Sequence, residues 1–168
     1  MKIDLIIISG LLVIISFLPF ILIPLLRSRE VEKFKNKFKE EALALGLNIS
    51  YQLSWNTNMA GIDILKRQFL LIQNFNNEFT IQHVNLNSVQ LIKLVTENRI
   101  TVLNKKSIES LSRVNLEFYE NNLIEPITVN LFNYDLNYTQ DLEVKNAQKL
   151  VSELQKYVIA KPVLKHTA

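Results

Sequence analysis

The chain has 168 residues, 48% of them hydrophobic, with a formal charge of +3, no cysteine and only three glycines. Its length suits one domain of ordinary size behind a short extra segment. The absence of cysteine excludes a thiol nucleophile. The scattered Gly10, Gly46 and Gly61 exclude a P-loop or dinucleotide-binding fingerprint.

The first element is MKIDLIIISGLLVIISFLPFILIPLL, in which Asp4 is the only ionisable side chain from Ile3 to Leu26. As a helix rising about 1.5 Å per residue it spans roughly 36 Å, enough for a hydrocarbon core about 30 Å thick. No small-x-small cleavage step follows Pro24, where Leu25, Leu26 and Arg27 stand. A retained transmembrane anchor over residues 1–26 is therefore predicted rather than a signal peptide. Asp4 reads as an interfacial residue one turn from the start. Arg27, Arg29, Lys33, Lys35, Lys37 and Lys39 follow the run, against Lys2 before it. By the positive-inside rule the N-terminus is out and the remainder cytoplasmic. The richness in Asn, Ile, Lys and Leu hints at a bacterial origin, and hence at the inner membrane.

Residues 27–46 read as a juxtamembrane amphipathic helix. Val31, Phe34, Phe38, Ala42 and Leu45 form an apolar stripe, and Gly46 is the expected C-cap. Two roles are open to it. Arg27, Arg29, Lys33 and Lys37 can contact anionic headgroups, or the stripe can pack on the following domain; interspersed glutamates favour the second.

From 47 to 160 the period changes to two. Ile49 to Trp55 alternates, Asn56-Thr57-Asn58 is turn chemistry, and Met59 to Leu65 returns as a hairpin partner. Further strands are expected at Arg67–Gln73, Phe79–Val84, Val89–Val95, Ser110–Tyr119 and Ile127–Phe132, with turns at Asn74–Asn77 and Asn85–Ser88. Pro126 suits a strand start. From Asp141 to Ile159, Val144, Ala147, Val151, Leu154 and Val158 recur at helical spacing. Asn137 or Thr139 is the expected cap, with Asp141 and Glu143 near the positive end and Pro162 as the stop. Residues 161–168 are read as a flexible tail. The fold class is α+β, with antiparallel strands closed by a C-terminal helix.

The strings GIDILKRQFLLIQ, FTIQHVNLNSVQLIKLV and NLFNYDLNYTQDLEVKNAQKLVSELQKYV, over Asn48 to Ile159, resemble pleckstrin-homology-like (PH-like) domains of small bacterial membrane proteins. The resemblance implies a curved, partly open barrel plugged by a C-terminal helix. Phosphoinositide-binding members carry basic residues in the first hairpin turn. Here that turn is Trp55-Asn56-Thr57-Asn58, so no specific phosphoinositide is expected.

No catalytic constellation assembles. His83 sits in a strand pattern as a half-buried or surface imidazole and His166 in the tail, and no cluster suits a metal. No enzyme activity and no cofactor are predicted, and no nucleic-acid surface, because lysines alternate with glutamates. Asp63, beside Lys66 and Arg67, reads as a turn residue facing solvent or pairing with those neighbours. The stretch Phe132 to Tyr138 puts aromatics, amides and an acid at a strand-to-helix junction, and Tyr134, Asp135 and Tyr138 are the candidate partner-binding residues. The leading expectation is a membrane-anchored scaffold or binding module holding a cytoplasmic β-rich domain to a protein partner. The alternative is an extracytoplasmic pilin-like or envelope subunit, opposed by the lysines behind the apolar run.

Overall fold

The computed structural model describes residues 2–75, 78–103, 106–120, 123–138 and 142–158, with backbone alone for 2–10, 19, 21–28, 102, 103 and 106. A long helix, α1 (Lys2–Ala44), is followed by β1 (Tyr51–Trp55), β2 (Asn58–Asp63), β3 (Gln68–Phe75) and β4 (Glu78–Asn85). Then come β5 (Val89–Leu103), β6 (Lys106–Glu120), β7 (Ile127–Asn133), α2 (Glu143–Leu154) and a 3₁₀ turn at Gln155–Tyr157. The chain divides into two compact units, residues 1–41 and 42–168.

In the first unit the helix does not break where a juxtamembrane segment was expected to begin. From Arg27 to Leu45 there is neither glycine nor proline, and Lys, Glu, Arg and Ala sustain a helix already started. The described apolar side chains from Leu11 to Leu18 are 44–64% exposed and Phe20 is 75% exposed. Ser16 returns its hydroxyl to the carbonyl of Leu12 at 2.9 Å. Among the described residues no helix is long and apolar enough to cross a membrane.

The second unit opens with the end of α1. Gly46, at φ +63°, takes the left-handed conformation expected of it, Gly46 N–H donating to Leu43 O and Leu47 N–H to Ala42 O at 2.9 and 2.7 Å. These are the paired bonds of a Schellman cap.

The strands form two antiparallel sheets, β1-β2-β3-β4 and β5-β6-β7. The two sheets are not closed into a barrel. Leu86 N–H donates to Arg67 O at 2.8 Å and Asn87 Nδ2 to Lys66 O at 3.0 Å, so the linker is tied to the β2–β3 turn. The chain thereby leaves the edge of β4 before β5 begins.

The core lies between the sheets and under α2. Phe69 and Phe118 stack at 5.7 Å between centroids, one from each sheet. Ile62, Leu71, Val114, Leu116, Val129 and Leu131 surround them, and Ala147, Leu150 and Leu154 of α2 close the layer. Met59, Leu70 and Ile72 point to the opposite face of the first sheet and are also buried, so β2 and β3 read as unbroken apolar runs.

Two local expectations are corrected. Asn58 is not part of the first turn; it pairs with Trp55 across a two-residue turn, Asn56-Thr57, with Asn56 at φ +45°. Asn56 tolerates that conformation because its short amide side chain can bond locally. The residue capping α2 is Leu142, at φ +54° with no side-chain hydrogen bond, and not Asn137. Asn137 N–H is held by Asn133 O at 3.0 Å one turn earlier. Thr139, Asp141, Ile159, Pro162, His166, the 161–168 tail, Asn76 and Asn77 lie outside the described residues.

Candidate functional site

Two buried polar clasps set the frame on which the surface is built. In the first, Trp55 Nε1–H donates to Glu143 Oε2 at 2.6 Å and Asn56 Nδ2 to Glu143 Oε1 at 2.9 Å. Glu143 is 3% exposed at the first turn of α2, where the helix dipole favours an acid. A buried indole N–H needs an acceptor, and the sole tryptophan finds it 88 residues away.

The second clasp satisfies a bulge. Val114 pairs with Phe132 and Asn115 with Asn130, so Leu131 is the extra residue of β7. Its carbonyl accepts from Asn58 Nδ2 at 2.9 Å and Gln73 Nε2 at 3.4 Å, while Gln73 Nε2 also reaches Asn58 Oδ1 at 2.7 Å. Both amides are nearly inaccessible, at 1% and 3%. An uncompensated buried carbonyl would cost about 1–3 kcal/mol, which is why amides stand where the sheet pattern calls for apolar residues.

Asp63 does not face solvent; it is 1% exposed. Its carboxylate accepts from Asn48 N–H at 2.8 Å and Lys66 N–H at 2.9 Å, tying the end of α1 to the β2–β3 turn. Burial pushes its pKa up, but backbone donors from Lys66, Asn48 and Leu65, with the Lys66 charge, outweigh burial and hold it below the ordinary carboxylate value. Lys66 Nζ donates to Gly46 O in the same junction. Asp63, Lys66 and Arg67 thus build a turn rather than a ligand site.

The junction after β7 brings the three candidate residues together. Asn133 organises it: its side-chain oxygen accepts from Asp135 N–H at 3.0 Å and its carbonyl from Leu136 N–H at 3.1 Å. Tyr134 is half-buried against the core, its N–H donating to Ser112 O at 2.9 Å. Tyr138 is 72% exposed and meets Tyr134 edge-on at 5.2 Å. Arg99 of β5 completes the group. Its guanidinium lies 4.1 Å from the centre of the Tyr134 ring and 3.6 Å from Asp135 Oδ1. One strand step away Arg113 reaches Glu97 at 3.7 Å.

The result is a patch of two tyrosines packed edge to face, an arginine lying on one ring and an acid, held on a strand end and a hairpin. Tyrosine and arginine supply amphipathic contact area at small ordering cost, as in recognition surfaces. An open groove of about 470 Å³ lies close by, lined by Asn98 and Leu111 of the hairpin and by Leu142 to Lys145. Sequence reasoning missed Arg99, and it placed Glu143 at the positive end of α2 without its buried partners; each gains those partners only when distant strands and α2 are in place.

Of the expected headgroup contacts in the first unit, Arg29 and Lys33 are exposed. Lys37 pairs with Glu41 at 2.7 Å; the Arg27 side chain lies outside the described residues. His83 is exposed on β4. Among the described residues no group of three or more His, Cys, Asp or Glu side chains is placed to hold a metal ion. No protein-family model, curated protein or solved structure matches this chain.

Proposed function

We propose that this chain is a single-pass, membrane-anchored binding module, not an enzyme, that holds a β-rich domain to a protein partner on the cytoplasmic side of a bacterial inner membrane. The observation that carries the reading is the Arg99–Tyr134–Asp135–Tyr138 patch, exposed yet fixed by backbone bonds and ring packing. The anchor rests on the apolar sequence from Ile3 to Leu26 and on the exposure of Leu11–Leu18 and Phe20, an apolar surface that water disfavours and lipid does not. Four strands, then three, then one covering helix are in keeping with a PH-like scaffold. A phosphoinositide is not part of the proposal. The β1–β2 turn has no basic residue, and its Asn56 amide already donates to the Glu143 carboxylate, whose charge would repel a phosphate.

The test is a reporter fused to the C-terminus in a bacterial host, combined with photo-crosslinking from a photoreactive residue at Leu136, which is exposed beside the patch. A cytoplasmic reporter and a crosslinked protein, lost in a Tyr134→Ala/Tyr138→Ala variant, are expected. An exported reporter, or a crosslinked product unchanged by that variant, overturns the reading.

A further inference from the structure

β5 is fifteen residues long and pairs with β6 on one side. Among the described residues no strand pairs with its other side. From Thr96 to Thr101 every residue is exposed, on both faces. This stretch, Thr-Glu-Asn-Arg-Ile-Thr, has β-branched residues at Thr96, Ile100 and Thr101 and no proline. Long, open, β-prone edges are templates for another strand, and proteins that must stay apart blunt them with charges of one sign.

The charges here are arranged differently. Glu97 and Arg99 flank Asn98 symmetrically and point to the same face, because strand side chains alternate. If a second copy of this strand runs antiparallel with Asn98 opposite Asn98, Glu97 falls opposite the second copy's Arg99, and Arg99 opposite its Glu97. The parallel arrangement in the same register would oppose Glu97 to Glu97 and Arg99 to Arg99. Directly opposed unlike charges stabilise a strand pair and like charges destabilise it. The ion pairs already present extend the match. Asp135 holds Arg99 at 3.6 Å and Arg113 holds Glu97 at 3.7 Å. Across the joined edge the charges on that face would run Asp135, Arg99, Glu97, Arg113, alternating in sign.

We propose that two copies of this chain associate by antiparallel pairing along the open edge of β5, centred on Asn98, with Glu97 of each opposite Arg99 of the other. The pairing makes one six-stranded sheet from two three-stranded ones. It shares Arg99 with the patch above but is argued from the open strand edge and its charge order, not from partner binding.

The absence of cysteine makes the test direct. Opposed residues of antiparallel strands have Cα atoms about 4.5–5.5 Å apart, within the span of a disulfide, whereas positions four residues out of register lie about 13 Å apart. The full chain in detergent micelles is oxidised mildly as Asn98→Cys, as Thr96→Cys, as Ile100→Cys, and as a mixture of the last two. The expected result is a covalent dimer from Asn98→Cys, little from Thr96→Cys or Ile100→Cys alone, and a dimer from their mixture. Native Trp55 emission checks that each variant is folded, and the mixture keeps the test decisive if Asn98→Cys is not. In a second arm, Glu97→Arg and Arg99→Glu each weaken self-association about tenfold, and mixing the two variants restores it. Equal crosslinking at all three positions, no crosslinking in the mixture, charge reversal without effect, or occupancy of this edge by a different protein overturns the proposal.

Discussion

The β5–β6 hairpin is two structures in one ladder. Its root, Ile92 with Val114, Leu116 and Phe118, is sealed in the core at 0–3% exposure. Its tip carries Ile100 and Ile108 at 72% and 49% exposure. The same backbone pattern thus serves packing at one end and presentation at the other. The join is marked by a bulge: Glu97 pairs with Arg113 and Asn98 with Leu111, leaving Ser112 extra, and its carbonyl is taken up by Tyr134 N–H.

The sharpest way to break the contrast is at the root. Phe118→Ala removes a ring stacked on Phe69, and a loss of about 3–5 kcal/mol is expected from the urea midpoint, read by Trp55 fluorescence. Glu143→Ala comes next. It leaves the Trp55 indole and Asn56 amide without their shared acceptor, and about 1–3 kcal/mol should be lost together with a shift in tryptophan emission.

Asp63 provides a pH-dependent comparison. Its folded pKa lies below the unfolded value, so its contribution is fully present above the unfolded carboxylate value near ~3.9 and is lost as pH falls through the folded one. Asp63→Asn should be less stable than the parent at neutral pH, and the gap should close on acidification. A gap constant from pH 7 to pH 2 in thermal melts would mean that the charge is not what the backbone donors hold. The smallest effect belongs to the tip: Ile100→Ala should change stability by no more than about 0.5 kcal/mol. A larger loss in dilute, monomeric protein would show that the tip is packed after all.

The contrast also marks what could be read in advance. Seven strands and the last helix were legible because burial writes a period into the sequence: Tyr51, Leu53 and Trp55 alternate, and Val144, Ala147, Val151, Leu154 and Val158 recur at helical spacing, although Leu150, outside that stripe, is buried with Ala147 and Leu154. The outer halves of β5 and β6 were not legible, since a strand exposed on both faces has no hydrophobic period to betray it. Asn58, Gln73 and the burial of Glu143 were misread or unnoticed for a different reason. A buried amide or acid resembles a loop residue until its distant acceptor or donor is known. Tyr134, Asp135 and Tyr138 were found as a composition; Arg99, which orients them, is contributed by another strand.

The two clasps have a consequence for the order in which this molecule assembles. Every strand pairing within the sheets joins sequence neighbours, hairpin by hairpin, and such local contacts close quickly. The clasps span 73 and 88 residues. The clasp at Leu131 waits for β7, and the clasp at Glu143 waits for α2. A chain stopped before Glu143 would therefore hold paired strands with an unsatisfied indole and an uncovered apolar layer. Trp55 emission during refolding should lag behind the appearance of β-structure, making the only tryptophan a built-in clock for the final step.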